Sequence, residues 1–400
     1  MALFSYEIID KDGKKKKGNV EADTYEMARS LVKKEASTII SIAETSSLNK
    51  DISFGKKKAR SRDLSVFCRQ FASITKAGIS IIEALGMLEQ QTGKKSMAEA
   101  IGNVRINVQK GETLANAMAK EEIFPNMLVS MVDAGEQSGS LEKSLERMAT
   151  HFEKDNRMKG MVKKAMIYPI ILFIVAIAVL VIMLVKVLPS FMATFIDMDI
   201  DMPGFTLAVM AFSDFLVENA VVVLIVVVLI ALLIKVIAGT PSGKRAFAKL
   251  KLKLPVFGNL TIKTACARFT RTFATLLGSG MDISEALEIT SRAIDNVLYE
   301  DAIKEIGGKI RGGLNLSVPF RANADLFPPM VYHMIGIGEE TGNLEEMLDN
   351  VATYYDEEVT MATEQLTAFM EPMIILFLAV IVIVIVLAVY GPMMALYNGI

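Results

Sequence analysis

The chain has 400 residues, 52% of them hydrophobic, with a formal charge of −2 and a mean hydropathy of +0.40. Such a length ordinarily divides into two or three soluble domains, but this hydropathy excludes a wholly soluble globular protein. The near-neutral charge says little about partners.

Residues 1–45 read as a small α+β module. Phe4 to Ile9 alternates as a strand, Lys11-Asp12-Gly13 supplies a turn, and Lys17 to Glu21 gives a second strand. Asp23 or Thr24 caps a helix through Lys34, and Thr38 to Ala43 gives a third strand. This stretch is mixed and charged, so no signal peptide is expected and insertion uses internal spans. Residues 46–62, with Ser, Asn, Gly and clustered lysines, form a linker.

Residues 63–164 carry a run of short helices. Leu64, Phe67, Phe71 and Ile74 fall at helical spacing, Gly78 ends that helix, and Ser80 with Glu83 opens the next as a capping box. Ser96 and Glu99 repeat the capping pattern. An apolar run at residues 165–188 is long enough to cross a hydrocarbon core of about 30 Å. Residues 189–216, bearing Asp197, Asp199 and Asp201 but no Lys or Arg, are expected as an external loop. A second span follows at 217–237, then a connection at 238–262, a second helical stretch at 263–367, a third span at 368–392 and a tail at 393–400.

Lys159, Lys163 and Lys164 precede the first span, and Lys235, Lys244 and Arg245 close the second. By the positive-inside rule both flanks are cytoplasmic, with the N-terminus inside and the C-terminus outside.

The two helical stretches are copies. An offset of 202 lays Phe67, Arg69, Phe71 and Gly78 on Phe269, Arg271, Phe273 and Gly280. After one inserted residue an offset of 203 lays Phe124 on Phe327, Leu145 on Leu348 and Pro169 on Pro372. A unit this long is a domain in its own right. Two crossings separate the copies, so both face the cytoplasm and each continues into an outward-going helix.

The passage G-E-Q-S-G-S-L at Gly135 recurs as G-E-E-T-G-N-L at Gly338. Gly135, Gly139, Gly338 and Gly342 suit positive φ at a helix end, and Ser140 or Asn343 can cap the helix that follows. A turn does not require acid at Glu136 and Glu339. These carboxylates are either solvated or candidates for a partner or interdomain contact, with Arg69 and Arg271 as candidate counterparts. Pro169, Pro372 and Glu371 mark where the chain enters the membrane, the prolines either starting a helix segment or setting a kink.

Catalytic patterns are missing from the sequence. There is no phosphate-binding loop, His151 and His333 stand outside any ligand pattern, and Cys68 and Cys266 read as core residues. No cofactor, metal site or direct nucleic-acid partner is expected. A small transporter built from a duplicated domain is the alternative, disfavoured by spans without buried ionisable residues.

The doubled G-E-x-[ST]-G-x-L motif and F-x-R-x-F-A-[ST] at Phe67 and Phe269, with the order of modules and spans, resemble the type II secretion system F proteins. That family includes the platform proteins of type IV pilus assembly. The resemblance implies a mainly α-helical inner-membrane platform of two cytoplasmic bundles and three transmembrane helices, without catalysis of its own. It further implies a cytoplasmic hexameric assembly ATPase, pilin or pseudopilin subunits, other inner-membrane assembly proteins, the lipid bilayer and further copies of the chain as partners.

Overall fold

The computed structural model describes residues 2–10, 15–22, 27, 29, 32, 36–44, 59–190, 204–255 and 257–398. The chain divides into two compact units, 1–58 and 59–400.

The first unit is an antiparallel sheet of order β2-β1-β3, built from β1 (Ala2–Asp10), β2 (Lys15–Ala22) and β3 (Ala36–Glu44). Phe4, Tyr6 and Ile8 alternate with Ser5 and Glu7, the period of a half-buried strand. Phe4 stands opposite Val20 on one side and Glu44 on the other. Between β2 and β3 the described residues Met27, Arg29 and Val32 are helical. The expected turn at 11–13, the cap at Asp23 or Thr24 and most of the linker lie outside the described residues.

In the second unit six helices make the first copy: α1 (Ser61–Lys76), α2 (Ile81–Gln91), α3 (Lys95–Gln109), α4 (Leu114–Ala119), α5 (Asn126–Ser138) and α6 (Leu141–Ile182). Leu64, Phe67 and Phe71 of α1 are buried, and Phe67 meets Phe124 at 5.5 Å between ring centroids. Gly78, at φ 81°, ends α1 in a conformation that a Cβ would strain. Ser80 caps α2 by accepting the Glu83 N–H, while the Glu83 carboxylate takes the Ser80 hydroxyl at 3.0 Å. The cap expected at Ser96 does not form, because α3 starts at Lys95 and Ser96 lies inside it.

A π turn (Met183–Val187) continues α6, followed by α7 (Gly204–Glu218), α8 (Ala220–Gly239) and α9 (Pro241–Lys253). The second copy comprises α10 (Phe257–Leu277), α11 (Ile283–Ala293), α12 (Val297–Arg311), α13 (Ser317–Arg321), α14 (Pro329–Thr341) and α15 (Leu344–Asn398). Phe269 sits between Phe320 and Phe327 at 5.1 and 5.2 Å, and the buried Tyr299 donates its hydroxyl to the Leu326 carbonyl at 2.7 Å. Burying such a ring contributes about 2–3 kcal/mol. Both copies share one continuous apolar core.

The helices α6, α8 and α15 are each long and apolar enough to cross a membrane. None of the α8 residues is buried, as expected of a helix whose solvent is lipid. Residues 204–216 of the expected external loop, with the first two residues of the expected second span, form α7. Its apolar sequence packs on the ends of α6 and α15 distant from the bundles. Thr206 Oγ1 donates to the Ala388 carbonyl at 3.0 Å and Ser213 Oγ to the Leu184 carbonyl at 2.7 Å. Leu184 lies in the π turn, where the ordinary helical ladder is interrupted and a carbonyl gains from an outside donor.

Candidate functional site: the doubled turn and the cleft between the copies

The repeated motif is a helix corner, built the same way twice. Gly139 (φ 66°) and Gly342 (φ 71°) take the left-handed conformation that ends α5 and α14. Ser140 N–H then reaches the Gly135 carbonyl at 2.9 Å. Gly135 and Gly338 correct the expectation of positive φ, because both lie inside their helices. What they supply is space. A Cβ on Gly135 would stand 2.8 Å from Ser144 Oγ, and one on Gly338 would stand 2.8 Å from the Leu344 backbone. Ser140 forms no side-chain cap on α6, its hydroxyl meeting that of Ser138 at 2.7 Å.

The two carboxylates also find an assignment that the sequence reading lacked. Glu136 accepts the N–H groups of Leu114 and Ala115 at 2.7 and 2.9 Å, while Thr113 takes the Asn116 N–H. Three of the four orphan donors at the start of α4 are thereby satisfied. Glu339 does the same for Leu316 and Ser317 at 2.6 and 3.3 Å, at the equivalent place in the second copy. Neither carboxylate meets an arginine. Arg69 pairs with Glu153, and Arg271 pairs with Asp356.

Those two ion pairs are equivalent in sequence and opposite in setting. The Arg69 and Glu153 side chains are 56% and 63% exposed, whereas Arg271 and Asp356 are 4% and 31% exposed. The cause is the packing of the copies. Helix α10 lies on α6, and α11 on α5. Arg268 of α10 bridges Asp155 of α6 at 3.3 Å and Asp295 at 2.8 Å, while Arg147 Nη1 donates to Glu345 Oε1 at 2.7 Å. Gly278 adjoins the Arg147–Glu345 pair and leaves no room for a side chain.

Asp155 also accepts hydrogen bonds from Ser61 (2.5 Å) and Lys159 (2.6 Å). Burial pushes its pKa up, but the Arg268 guanidinium and these donors outweigh that and hold the carboxyl below its usual range. His151 shares the region, its ring partly accessible but its Nδ1 enclosed without a partner. Burial pushes its pKa down to about 4, with Arg271, Lys159 and Arg268 adding to the shift and Asp155 opposing it. Beside it a cleft of about 610 Å³ opens between the copies, lined by Lys143, Lys154, Arg271, Glu346 and Asp349 among others.

Sequence reasoning missed Arg268 and Asp155 because they are not equivalent positions. The signal lay in a departure between copies: Arg268 stands where the first copy has Val66, and Gly278 where it has Lys76.

Pro169 and Pro372 lie inside α6 and α15, so neither starts a helix segment. Each helix passes through its proline from bundle into membrane, over about 60 Å for α6 at 1.5 Å per residue. Glu371, next to Pro372, is exposed. Cys68 and Cys266 are buried in the core, and burial pushes the Cys266 thiol up to about 12. Among the described residues no group of His, Cys, Asp and Glu is arranged to hold a metal.

Two homologous helical bundles, each fused to a membrane helix, define a duplicated multi-pass membrane protein. The type II secretion system (T2SS) protein F family matches at 67–189 and 269–392, and the N-terminal domain of that family at 1–43. The chain belongs to this family. It is 36% identical to a type IV pilus assembly protein PilC of Thermus thermophilus over 94% of both chains. Identity is 35% to a PilC of Myxococcus xanthus over 100% of this chain and 96% of that one. A type II secretion system protein F of Vibrio cholerae is 28% identical over 100% of this chain and 99% of its own.

Proposed function

We propose that the chain is the inner-membrane platform of a filament-assembly machine, coupling a cytoplasmic hexameric ATPase to the removal of pilin-like subunits from the bilayer. The observation that carries this reading is mechanical: α6 and α15 run unbroken from the bundles into the membrane. A push on either bundle therefore reaches a membrane helix without an intervening loop. The Arg268–Asp155 and Arg147–Glu345 bridges tie the two copies together. The chain itself is not an enzyme in this account. Nucleotide hydrolysis belongs to the ATPase, and the exposed apolar surfaces of α6, α8 and α15 accommodate lipid and subunit helices.

Lys and Arg flanking the first two spans favour bundles and N-terminus on the cytoplasmic side and the C-terminus on the periplasmic side. The higher identity to pilus assembly proteins, 36% and 35% against 28%, favours a pilus over a secretion pseudopilus. Deletion of the gene followed by electron microscopy is the test. Loss of surface filaments, restored by the intact chain, is expected; normal filaments in the deletion strain would refute the reading.

A further inference from the structure

The span α8 ends on a corner that fixes the next helix against it. Only Thr240 separates Gly239 from Pro241, and its Oγ1 accepts the Gly243 N–H at 3.1 Å while donating to the Ile237 carbonyl at 2.7 Å. A Cβ on Gly243 would stand 1.9 Å from that carbonyl oxygen, so the close approach needs glycine. With one residue as the link, α9 starts in the headgroup layer where α8 ends.

One side of α9 is occupied. Ala248 is buried, Phe247 and Leu252 are half-buried, α9 packs on α10 and α12 of the second copy, and Arg245 donates to Asp301 at 2.8 Å. The other side is open. Ala246, Lys249, Leu250 and Lys253, at the i, i+3, i+4, i+7 spacing of one helix face, are all exposed, and Leu254 follows them. Leu250 and Leu254 are 54% and 43% exposed although they lie outside every span.

The cations on this side have no counterpart in the chain. No Asp or Glu occurs between Glu218 and Asp282. Among the described residues Lys244, Lys249, Lys251 and Lys253 form no ion pair, whereas Arg245, Lys263, Arg268 and Arg271 all do. Unpaired lysines interleaved with exposed leucines, at the end of a span, match the layers of a membrane surface, with phosphates above and acyl chains beneath. Keeping a connection on one side of the membrane requires only the charges. It requires neither the leucines nor a fixed corner.

We propose that the open face of α9 lies on the bilayer surface beside α8, with Lys249, Lys251 and Lys253 on the phosphates of anionic phospholipid and Leu250 and Leu254 at the acyl boundary. An acidic protein would satisfy the lysines, but it would have to enter the headgroup layer to cover the leucines. Because the opposite side of α9 is packed on α10 and α12, this contact ties the second copy to the membrane surface as well as through α15. The proposal requires α8 to span the bilayer and is independent of what the machine assembles.

The chain has no Trp, so Leu250→Trp gives the full-length protein a single indole fluorophore. The variant is reconstituted in vesicles of equal phosphatidylglycerol and phosphatidylcholine, with bromine quenchers high on the acyl chains of one lipid or the other. Val228→Trp, at an exposed position inside α8, reports insertion and should be quenched from both lipids. Quenching of Leu250→Trp should be at least about twofold stronger from brominated phosphatidylglycerol than from brominated phosphatidylcholine, and the added changes Lys249→Gln, Lys251→Gln and Lys253→Gln should remove the difference. Emission from Leu250→Trp that neither lipid quenches, in vesicles where Val228→Trp is quenched, overturns the proposal and leaves the face to a protein. Equal quenching by the two lipids with the lysines intact also overturns it.

Discussion

Arg69–Glu153 and Arg271–Asp356 are the same ion pair written twice, one facing water and the other closed between domains. The corners beneath them are alike, with Glu136 and Glu339 capping equivalent helices. Duplication has therefore preserved what each bundle needs for itself and let the outer faces diverge. The divergence follows the charges: Arg147, Lys154 and Arg157 of α6 are matched by Asn350, Glu357 and Thr360 of α15. A pair's energetic value thus comes from its surroundings and not from its sequence.

The largest effect should come from breaking the enclosed pair. Asp356→Ala leaves Arg271 buried without its partner and should cost about 3 kcal/mol, whereas Glu153→Ala should cost less than about 1 kcal/mol. Thermal unfolding of the two purified variants in one detergent checks the ratio; equal losses would remove the distinction between the copies.

His151, whose equivalent in the second copy is Tyr354, adds a pH dependence that belongs to the interface alone. Its folded pKa of about 4 lies below the ordinary 6.5, so the unfolded chain binds the proton more tightly. Stability is fully present above about pH 6.5 and is lost as pH falls towards 4, by up to about 3 kcal/mol, less to the extent that water reaches the ring. The depressed Asp155 pKa acts lower, below the usual carboxylate value near 3.8, where protonation releases Arg268. His151→Phe should flatten the unfolding temperature between pH 6.5 and 4.5. An unchanged slope would place the titration elsewhere.

The caps provide the symmetric control. Glu136→Gln and Glu339→Gln should each cost about 1–2 kcal/mol, with similar values in both copies. A weakened ATPase association without loss of stability would instead return these carboxylates to the surface.

The helices, the turns and the three spans were legible because each rests on local signals. Phe67 and Phe71 share a helix face, Gly139 needs a left-handed φ, and long apolar runs need lipid. Glu136 was legible as an unexplained acid but not as a cap, because its partners lie 22 and 21 residues away, across a turn that only the packed bundle sets. Helix α7 escaped because the aspartates of residues 197–201 dominate the reading of that stretch, although Phe205 to Val217 is apolar. Asp155–Arg268 was hidden most deeply. It joins non-equivalent residues of two copies, and a search for what the copies share passes over it.

That bridge carries the central claim, that the second copy is held on α6 of the first by a contact the first does not return. A double-mutant cycle on Asp155→Asn and Arg268→Gln, read by unfolding of the intact chain in detergent, measures it directly. Both side chains are about 15% exposed, so a coupling of about 1–3 kcal/mol is expected. Additive losses, with coupling indistinguishable from zero, would contradict the account.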